Sequence, residues 1–244
     1  MDRTFKGKRI LVTGGSQGIG YGIALELWRQ GATVVAMSNQ EESLQKLHKE
    51  YPTIEVACVD LHDWAKTKDA VEALGVFDGL VNNAGVARTE SFLECSPEYF
   101  DETISVNTKA VINISQIVAK KMIQNKIKGS IVNISSQASK AALKDHTSYC
   151  ASKAAVDSIT RVMALELGPF GIRTNTVNPT VIMTELGRKV WSEPNKKRAM
   201  LSKIPLGRFG EVSDVVNTVL FLLSDQASMI SGAHLPVDGG FLAT

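Results

Sequence analysis

Cysteine is scarce in this sequence, and its few copies are scattered. Cys58, Cys95 and Cys150 are the 3 cysteines among 244 residues, and no two of them have C-x-x-C spacing. An odd, sparse set argues against a disulfide framework and is typical of a reducing compartment. No group of histidine and cysteine residues has the spacing of a zinc site. We therefore expect a cytoplasmic protein that binds no metal.

Long apolar runs and an excess of one charge are also missing. No segment approaches the ~20 consecutive apolar residues that a transmembrane helix needs. The first residues, "MDRTFKGKRILVTGG", lack the apolar core of a signal peptide. Lys and Arg number 27 against 25 Asp and Glu, which gives a net charge of +2 without a basic stripe. These absences disfavour a transmembrane segment and a nucleic-acid partner.

The sequence does contain a regular alternation of short apolar runs with longer amphipathic segments. The short runs are typical of buried strands, and the longer ones follow helical spacing. Strands are predicted at 9 to 13, 33 to 38, 54 to 59, 79 to 82, 130 to 135, 173 to 178 and 234 to 237, and helices at about 19 to 27, 41 to 50, 64 to 74, 97 to 124, 148 to 167 and 211 to 223. This alternation predicts an α/β fold, a Rossmann-type doubly wound parallel sheet with helices on both faces. No linker or repeat divides the chain, so residues 1–244 are predicted to form a single dinucleotide-binding domain.

One stretch, from about 180 to 206, has no clear periodicity. It contains Pro194, Pro205 and Trp191. An irregular segment of this length is usually either disordered or a functional lid. Because Trp191 argues against disorder, we interpret the stretch as a lid over a substrate site, although Trp191 could also simply anchor the segment to the core.

A glycine-rich turn follows the first predicted strand. The segment "TGGSQGIG" places Gly14, Gly18 and Gly20 in the pattern G-x-x-x-G-x-G between a strand and a helix. Such a turn lets backbone N–H groups approach a pyrophosphate, and the positive end of the helix favours its charge. Any one of these glycines could serve packing alone. The strand before and the helix after make dinucleotide binding the favoured interpretation.

The residues after the second strand bear on the choice between NAD and NADP. An acid at this position would bind the ribose 2′-OH and repel a 2′-phosphate. Here the strand ends in Ser38-Asn39-Gln40, and the first acid is Glu41. Neutral donors can bind a phosphate, although ordinary turn residues would look the same. NADP(H) is therefore the predicted cofactor, and NAD(H) is less favoured.

Tyr149 and Lys153 lie four residues apart in a predicted helix and therefore share one face of it. Such a pair can be an inert surface contact or an acid whose pKa is tuned. A free tyrosine has a pKa near ~10, and a nearby cation stabilises the phenolate and lowers that pKa. Small neighbours such as Ala151 and Ser152 would let a cofactor approach. We interpret the pair as a general acid–base.

Taken in order, these motifs resemble those of the short-chain dehydrogenase/reductase family. The segments that carry the resemblance are "TGGSQGIG" (13 to 20), "NNAG" (82 to 85), Asn107, "NISS" (133 to 136), "YCASK" (149 to 153), "VNP" (177 to 179) and "VDGG" (237 to 240). They span the whole chain. Within the family the chain is most similar to the branch that reduces dicarbonyls and L-xylulose, through "SQIVA" (115 to 119), "MALELGP" (163 to 169), "NPTVIMT" (178 to 184), "IPLGRF" (204 to 209) and "LFLLSD" (220 to 225).

The resemblance implies roles for individual residues. The implied catalytic residues are Asn107, Ser136, Tyr149 and Lys153. The implied cofactor-binding residues are Gly14, Gln17, Gly18, Ile19, Gly20, Ser38, Asn39, Asp60, Leu61, Asn83, Gly85, Tyr149, Lys153, Pro179, Ile182 and Thr184. Tyr149 would protonate the substrate oxygen, Ser136 would hydrogen-bond it, and Asn107 would hold a water linking Lys153 to solvent. Asn107 could instead be a helix-bending residue satisfied by backbone, and Asp60 could cap a helix rather than accept from adenine.

Two positions depart from the pattern of that branch. It usually has basic residues where this chain has Gln17 and Asn39, so direct partners for a 2′-phosphate are missing there.

The resemblance also implies contacts with the substrate, which are Ser136, Gln137, Leu143, His146, Tyr149 and Trp191. Amide, imidazole and indole groups suit a short polyhydroxy ketone or an α-dicarbonyl, while His146 could merely cap the following helix.

The expected activity is NADPH-dependent reduction of small carbonyls, L-xylulose to xylitol and α-dicarbonyls such as diacetyl. Two alternatives remain open at this point. One is another reductase of the family, such as a β-ketoacyl-carrier reductase, and the other is a non-catalytic NADP(H)-binding sensor or scaffold. By analogy with the family, a homotetramer built through the helices at about 97 to 124 and 148 to 167 and the C-terminal segment is expected.

Overall fold

A computed structural model describes residues 4–243. Its centre is one sheet of seven parallel strands in the order β3-β2-β1-β4-β5-β6-β7. The strands are β1 Arg9–Thr13, β2 Thr33–Ser38, β3 Glu55–Cys58, β4 Gly79–Asn82, β5 Ser130–Ile134, β6 Arg173–Pro179 and β7 His234–Val237. The helices are α1 Gly18–Arg29, α2 Glu41–Glu50, α3 Trp64–Ala73, α4 Pro97–Ile104, α5 Ala110–Gln124, α6 Thr147–Leu167, α7 Glu185–Val190, α8 Pro194–Leu201 and α9 Val212–Leu223. The predicted fold class is confirmed.

The central strands are apolar on both faces because helices cover both sides of the sheet. In β1, Ile10 and Val12 point into the layer formed with α1, α2 and α9, whereas Leu11 points into the layer formed with α3 and α5. β2 alternates in the same way, with Val35 paired in register with Leu11. All of these side chains are buried, and each full burial stabilises the fold by roughly 1.5–3 kcal/mol.

The predicted helix at 97 to 124 is interrupted in the middle. It comprises α4, a π-helical turn at Ser105–Lys109 and then α5. The backbone N–H of Ala110 donates to the carbonyl of Ser105, which is five residues back rather than four. Apolar periodicity does not reveal such a turn, because the flanking segments keep ordinary α-helical spacing. Asn107 lies inside it.

The stretch at 180 to 206 is not irregular, contrary to the sequence-based interpretation. It contains α7, whose first N–H groups are capped by Thr184, and α8, which is capped by Glu193. Both helices are too short for apolar periodicity to show. They enclose a small apolar cluster of Met200, Ile204 and Phe209. The lid function of this stretch remains a prediction.

Among residues 4–243, no helix is both long and apolar enough to cross a bilayer. No group of three or more His, Cys, Asp or Glu side chains in the same range is arranged to hold a metal ion.

Candidate active site

The carboxyl ends of the strands surround a cavity of about 1110 Å³. This edge is where ligands bind in doubly wound α/β sheets. Most of the predicted cofactor residues line the cavity, namely Gly14, Gln17, Gly18, Ile19, Ser38, Asn39, Asp60, Leu61, Asn83, Gly85, Tyr149, Lys153, Pro179, Ile182 and Thr184. A smaller cavity of about 710 Å³ lies at the opposite end of the sheet, between residues such as Asp78, Gly129 and Arg173.

The glycine turn has a backbone shape that requires glycine. Gly14 and Gly18 have φ angles of +63° and +56°, which side-chain-bearing residues rarely adopt. A Cβ on Gly20 would lie 2.2 Å from the carbonyl oxygen of Gly14. Gly20 is buried and is not among the residues that line the cavity. Its position therefore indicates packing of α1 against the turn rather than direct contact with a cofactor.

Asn83 holds the glycine turn against the end of β4. Its side-chain amide donates to the carbonyl oxygens of Thr13 at 3.0 Å and Gly14 at 3.3 Å. The Thr13 hydroxyl accepts from the backbone N–H groups of Asn83 and Ala84. Because backbone groups on both sides are paired, the turn has its binding shape without help from a ligand.

The end of β2 presents neutral polar groups to the cavity. The hydroxyl of Ser38 accepts from the Ser16 hydroxyl at 2.9 Å and from the Gln40 backbone N–H at 3.1 Å. Its own proton is therefore directed towards other acceptors. Asn39 and Gln17 are exposed and line the same part of the cavity. No cation stands at either position.

Asp60 and Asp63 have different roles near the end of β3. The side chain of Asp63 caps α3 by accepting from the Lys66 backbone N–H at 3.0 Å. Asp60 accepts from the His62 backbone N–H and lines the cavity beside Leu61. Of the two readings of Asp60, the helix cap is wrong, because Asp63 occupies that position.

Tyr149 and Lys153 lie on the face of α6 that borders the cavity. The Nζ atom of Lys153 is 5.7 Å from the centroid of the Tyr149 ring and donates to the carbonyl oxygen of Ile134 at 2.8 Å. A Cβ on Gly85 would stand only 3.5 Å from that Nζ atom. A glycine at position 85 therefore leaves room beside the ammonium.

The two pKa values move in directions set mainly by burial. Loss of solvent raises the pKa of Tyr149, while a hydrogen bond with Ser136 lowers it in part. Burial lowers the pKa of Lys153 from 10.5 to about 8, and the nearby Asp157 opposes that shift. Contrary to the expectation that Lys153 lowers the Tyr149 pKa, that pKa is raised, because desolvation of the phenolate is the largest effect. The phenol is consequently protonated at neutral pH.

Ser136 is held by the backbone that follows it. It begins the short 3-10 helix Gln137–Ser139, and its hydroxyl oxygen accepts from the Ala138 backbone N–H at 3.1 Å. That bond fixes the oxygen and leaves the hydroxyl proton available to donate. Ser136, Tyr149 and Lys153 thus border one region of the cavity, as the sequence predicts.

Asn107 stands behind this region and is buried. Its Oδ1 accepts from the Val86 N–H at 2.8 Å, and its Nδ2 donates to the Val86 carbonyl at 2.9 Å and to the Ser152 hydroxyl at 3.0 Å. The side chain is therefore satisfied by backbone and Ser152, as the structural alternative predicts. Its role in holding a water remains a prediction.

On the far side of the cavity, β6 continues into α7. Pro179, Ile182 and Thr184 line this wall. The side chain of Thr184 packs over the glycine turn, since its Cγ2 would be 3.4 Å from a Cβ on Gly18. The hydroxyl oxygen of Thr180, also on this wall, is buried without a hydrogen-bond partner. An unpaired buried hydroxyl beside a cavity favours a polar ligand at that point.

Of the predicted substrate residues, only Ser136 and Tyr149 line the cavity. Gln137 is buried, and its Oε1 has no partner. His146 precedes α6 without capping it through its side chain, and its ring contacts Tyr149 edge-on at 6.1 Å between centroids. Trp191 packs against Phe209 at 5.4 Å and Lys196 lies over its ring, so the structure places it in the small apolar cluster. Gln137, Leu143, His146 and Trp191 do not line the cavity.

Sequence reasoning missed several polar residues of the cavity wall, among them His62, Glu102 and Lys189. Glu102 forms a two-bond ion pair with Arg88, at 2.8 and 2.9 Å. Lys189 pairs with Glu185 at 3.0 Å across one turn of α7. No motif marks these residues. The one signal was the i, i+4 spacing of Glu185 and Lys189, which is also typical of any exposed helix.

Comparison with known proteins agrees with this geometry. A family model described as enoyl-(acyl carrier protein) reductase matches residues 14–242. The chain belongs to the short-chain dehydrogenase/reductase family.

Individual relatives match over essentially the whole length. The chain is 54% identical to L-xylulose reductase of Mus musculus over 244 residues, covering 100% of both chains. It is 52% identical to D-erythrulose reductase of Gallus gallus over 243 residues, covering 100% of this chain and 99% of the relative. Among solved structures, a gluconate 5-dehydrogenase from Burkholderia cenocepacia in complex with NADP and tartrate superposes with a TM-score of 0.93 at 30% identity, covering 100% and 98% of the two chains.

Proposed function

We propose that the protein reduces small carbonyl compounds with NADPH, and that L-xylulose, converted to xylitol, is its main substrate. The observation that carries this proposal is the grouping of Ser136, Tyr149 and Lys153 at one cavity wall opposite the glycine turn. The relatives that share half of its residues over the full length include reductases of L-xylulose and D-erythrulose. Diacetyl and related α-dicarbonyls are proposed as further substrates.

The residues present fit a nicotinamide dinucleotide. The turn at Gly14 and Gly18 would hold the pyrophosphate at the start of α1, where the helix dipole favours negative charge. Asp60 and Leu61 would border the adenine, and Asn83 and Gly85 the adjoining ribose. Ile182 and Thr184 would border the carboxamide, and Lys153 the nicotinamide ribose. When bound, this group supplies the hydride for the carbonyl carbon.

The protein's own residues manage the proton. Tyr149 is protonated at neutral pH, because burial raises its pKa, so it can donate to the carbonyl oxygen as negative charge develops there. The Ser136 hydroxyl, whose oxygen is fixed by Ala138, donates a second hydrogen bond to the same oxygen. The nearby Lys153 ammonium then stabilises the phenolate that Tyr149 becomes.

Cations for the cofactor's phosphates would come from α7 and α2 rather than from the glycine turn. Gln17 and Asn39 are neutral, but Lys189 of α7 lines the same cavity. Lys46 of α2 lies close enough to lower the pKa of Glu185, together with Lys189, whose direct bond is the larger cause. A phosphate that displaced Glu185 from Lys189 would find two lysines there, which favours NADP(H) over NAD(H).

We also propose a homotetramer in the cytoplasm. Val162 and Leu165 of α6 are 51% and 78% exposed, and Tyr99 and Phe100 of α4 are also exposed. Large apolar side chains on two neighbouring helices favour burial against another subunit. Sedimentation velocity tests the assembly. The mass obtained should be about four times the 26.4 kDa mass of one chain, and a mass equal to that of one chain would contradict the tetramer.

The function is tested by initial rates with L-xylulose, diacetyl and an acetoacetyl thioester, each with NADPH and with NADH. Rapid reduction of L-xylulose with NADPH supports the proposal. Turnover of the thioester alone would favour a β-ketoacyl-carrier reductase. Tight NADPH binding without turnover of any carbonyl would favour a sensor or scaffold.

A further inference from the structure

A buried polar network lies behind the catalytic residues, on the side away from the cavity. Its centre is the side-chain amide of Asn178, at the end of β6. The Nδ2 atom is 3.2 Å from the carbonyl oxygen of Ser136, 3.0 Å from the Ser139 hydroxyl and 3.1 Å from both carboxylate oxygens of Asp157. The two N–H bonds of one amide therefore join the Ser136 segment to a carboxylate on α6.

The Oδ1 atom of the Asn178 amide is fixed by a chain of hydrogen bonds in which each residue donates to the next. Arg161 can only donate, so at 2.9 Å its guanidinium makes the Nε2 atom of His234 an acceptor. His234 is then neutral with its proton on Nδ1, which lies 2.9 Å from the Thr176 hydroxyl. That hydroxyl in turn donates to the Oδ1 atom of Asn178 at 2.7 Å. The chain sets which end of the Asn178 amide faces Ser136.

Asp157 connects this network to Lys153. It lies one helical turn after Lys153 on α6 and is buried, as is Asn178. A carboxylate at this place favours the charged form of the lysine and opposes the effect of burial. Its Oδ1 atom is 3.7 Å from His234 Nδ1, and both carboxylate oxygens accept from the Asn178 amide.

We infer that Asp157, Asn178 and His234 form a positioning network that holds the Ser136 segment in place and keeps a negative charge behind Lys153. None of the three lines the cavity, so each acts through Ser136 or Lys153. The inference rests on the proposed acid–base roles of those two residues. The charged or titratable groups around the network are Tyr149, Lys153 and Asp157 on α6, Arg161 further along α6, Lys140 near the Ser136 segment and His234 on β7.

The electrostatic part is tested with Asp157→Asn, which keeps the size of the side chain and removes its charge. The ammonium titration of Lys153, followed by NMR and assigned with Lys153→Met, is expected to shift to lower pH by about half a unit or more. The alkaline limb of the kcat profile should shift in the same direction. Glu166→Gln is the matched control, because Glu166 is an exposed carboxylate on the same helix.

Equal Lys153 titrations in Asp157→Asn and Glu166→Gln would overturn the electrostatic part. The NMR titration needs no substrate, so its failure is distinguishable from failure of the proposed carbonyl reduction. It remains informative even if no carbonyl is turned over.

The positioning part is tested with Thr176→Val, which breaks the chain between His234 and Asn178 at similar volume. Misoriented Asn178 should lower kcat by about tenfold, with little change in the Kd of NADPH. In the unmodified protein, imidazole NMR should find His234 neutral at pH 7.5 with its proton on Nδ1. A proton on Nε2, or an unchanged kcat in Thr176→Val, would overturn the positioning role. Should Asp157→Asn fail to fold, these two measurements decide the inference.

Discussion

The two sides of the cofactor cavity are built differently. The catalytic wall, which we define as Asn107, Ser136, Tyr149 and Lys153, is formed by the π turn at Ser105–Lys109, the segment after β5 and α6. Its polar atoms are fixed by backbone partners such as Ile134, Val86 and Ala138. The outer rim, defined as Gln17, Asn39, Glu185 and Lys189, is exposed to solvent.

This difference separates chemistry from selectivity. A general acid and its partners act only if they are held within a few tenths of an ångström, which buried hydrogen bonds achieve. A phosphate at the rim is recognised by charge, which tolerates long, mobile side chains. Changes in the catalytic wall should therefore abolish turnover, whereas changes in the outer rim should shift the choice of cofactor by modest factors.

The largest expected effect comes from Tyr149→Phe. Removal of the hydroxyl deletes the proton donor, so kcat should fall by about 10³-fold or more. The Kd of NADPH, measured by quenching of protein fluorescence, should change little. Substantial residual turnover would mean that another group protonates the substrate.

Tyr99→Phe is the matched control for this change. Tyr99 is 44% exposed on α4 and is not among the residues lining the cavity. It should leave kcat unchanged, and a comparable loss there would indicate that the assay reports on stability instead.

A second change in the catalytic wall, Lys153→Met, should separate activity from stability. We expect kcat to fall by about 10²-fold, because phenolate stabilisation is lost. In the unmodified protein, activity should decline as pH rises through about 8, the pKa to which burial lowers Lys153.

Whereas Lys153→Met should lose activity, it should gain stability against unfolding. The folded-state pKa of Lys153 lies below its ordinary value of 10.5, so its buried charge costs folding free energy below pH 8 and this cost fades as pH rises towards 10.5. At pH 7, Lys153→Met should raise the free energy of unfolding by about 1–3 kcal/mol. Urea denaturation measures this, and a lower value would mean that the bond to Ile134 outweighs the burial cost.

The central strands and the catalytic wall are easier to predict from the sequence than the outer rim. The strands at 9 to 13, 33 to 38, 79 to 82 and 234 to 237 agree with the predicted bounds at both ends, because buried apolar runs leave a clear pattern. Tyr149 and Lys153 were recognisable because their spacing follows from helix geometry. The π turn around Asn107 was not, since it alters hydrogen bonding without altering residue type.

The outer rim and the stretch at 180 to 206 were the least predictable parts. The helices α7 and α8 depend on caps at Thr184 and Glu193 and on contacts with residues far along the chain, such as Phe209. The position of Lys189 on the cavity wall follows from those contacts and not from any motif. Likewise, the glycine motif implied that Gly20 contacts the cofactor. Its close packing against Gly14 can be recognised only from distances in the folded structure.

A third prediction uses that glycine. Gly20→Ala would bring a methyl group to 2.2 Å from the Gly14 carbonyl, so the turn must shift. Overpacking of this kind typically costs about 1–3 kcal/mol, and NADPH affinity should fall with it. Thermal denaturation and NADPH titration measure both effects.

Gly168→Ala serves as the control, because nothing lies within 4 Å of a Cβ there and its φ is −52°. It should leave NADPH affinity unchanged. Equal behaviour of the two variants would show that Gly20 tolerates a side chain.

The smallest expected effect lies in the outer rim. Lys189→Gln should raise the KM for NADPH by roughly three- to tenfold and leave the KM for NADH nearly unchanged, because exposed charge pairs contribute little. Glu185→Gln should act in the opposite direction by freeing Lys189. Lys66→Gln, on the exposed side of α3, is the control. Equal changes in the KM values for NADPH and NADH would mean that Lys189 attracts anions in general and does not recognise the 2′-phosphate.

The π turn at Ser105–Lys109 has a consequence for how this protein can change in evolution. It closes with a bond over five residues, one more than an α-helical turn. Deletion of a single residue there would restore ordinary helix and rotate one flank by about 100° relative to the other. Asn107 would then leave Val86, although no catalytic residue had been replaced. Gaps in this helix, which comparisons of residue identity overlook, should therefore mark descendants that have lost the activity.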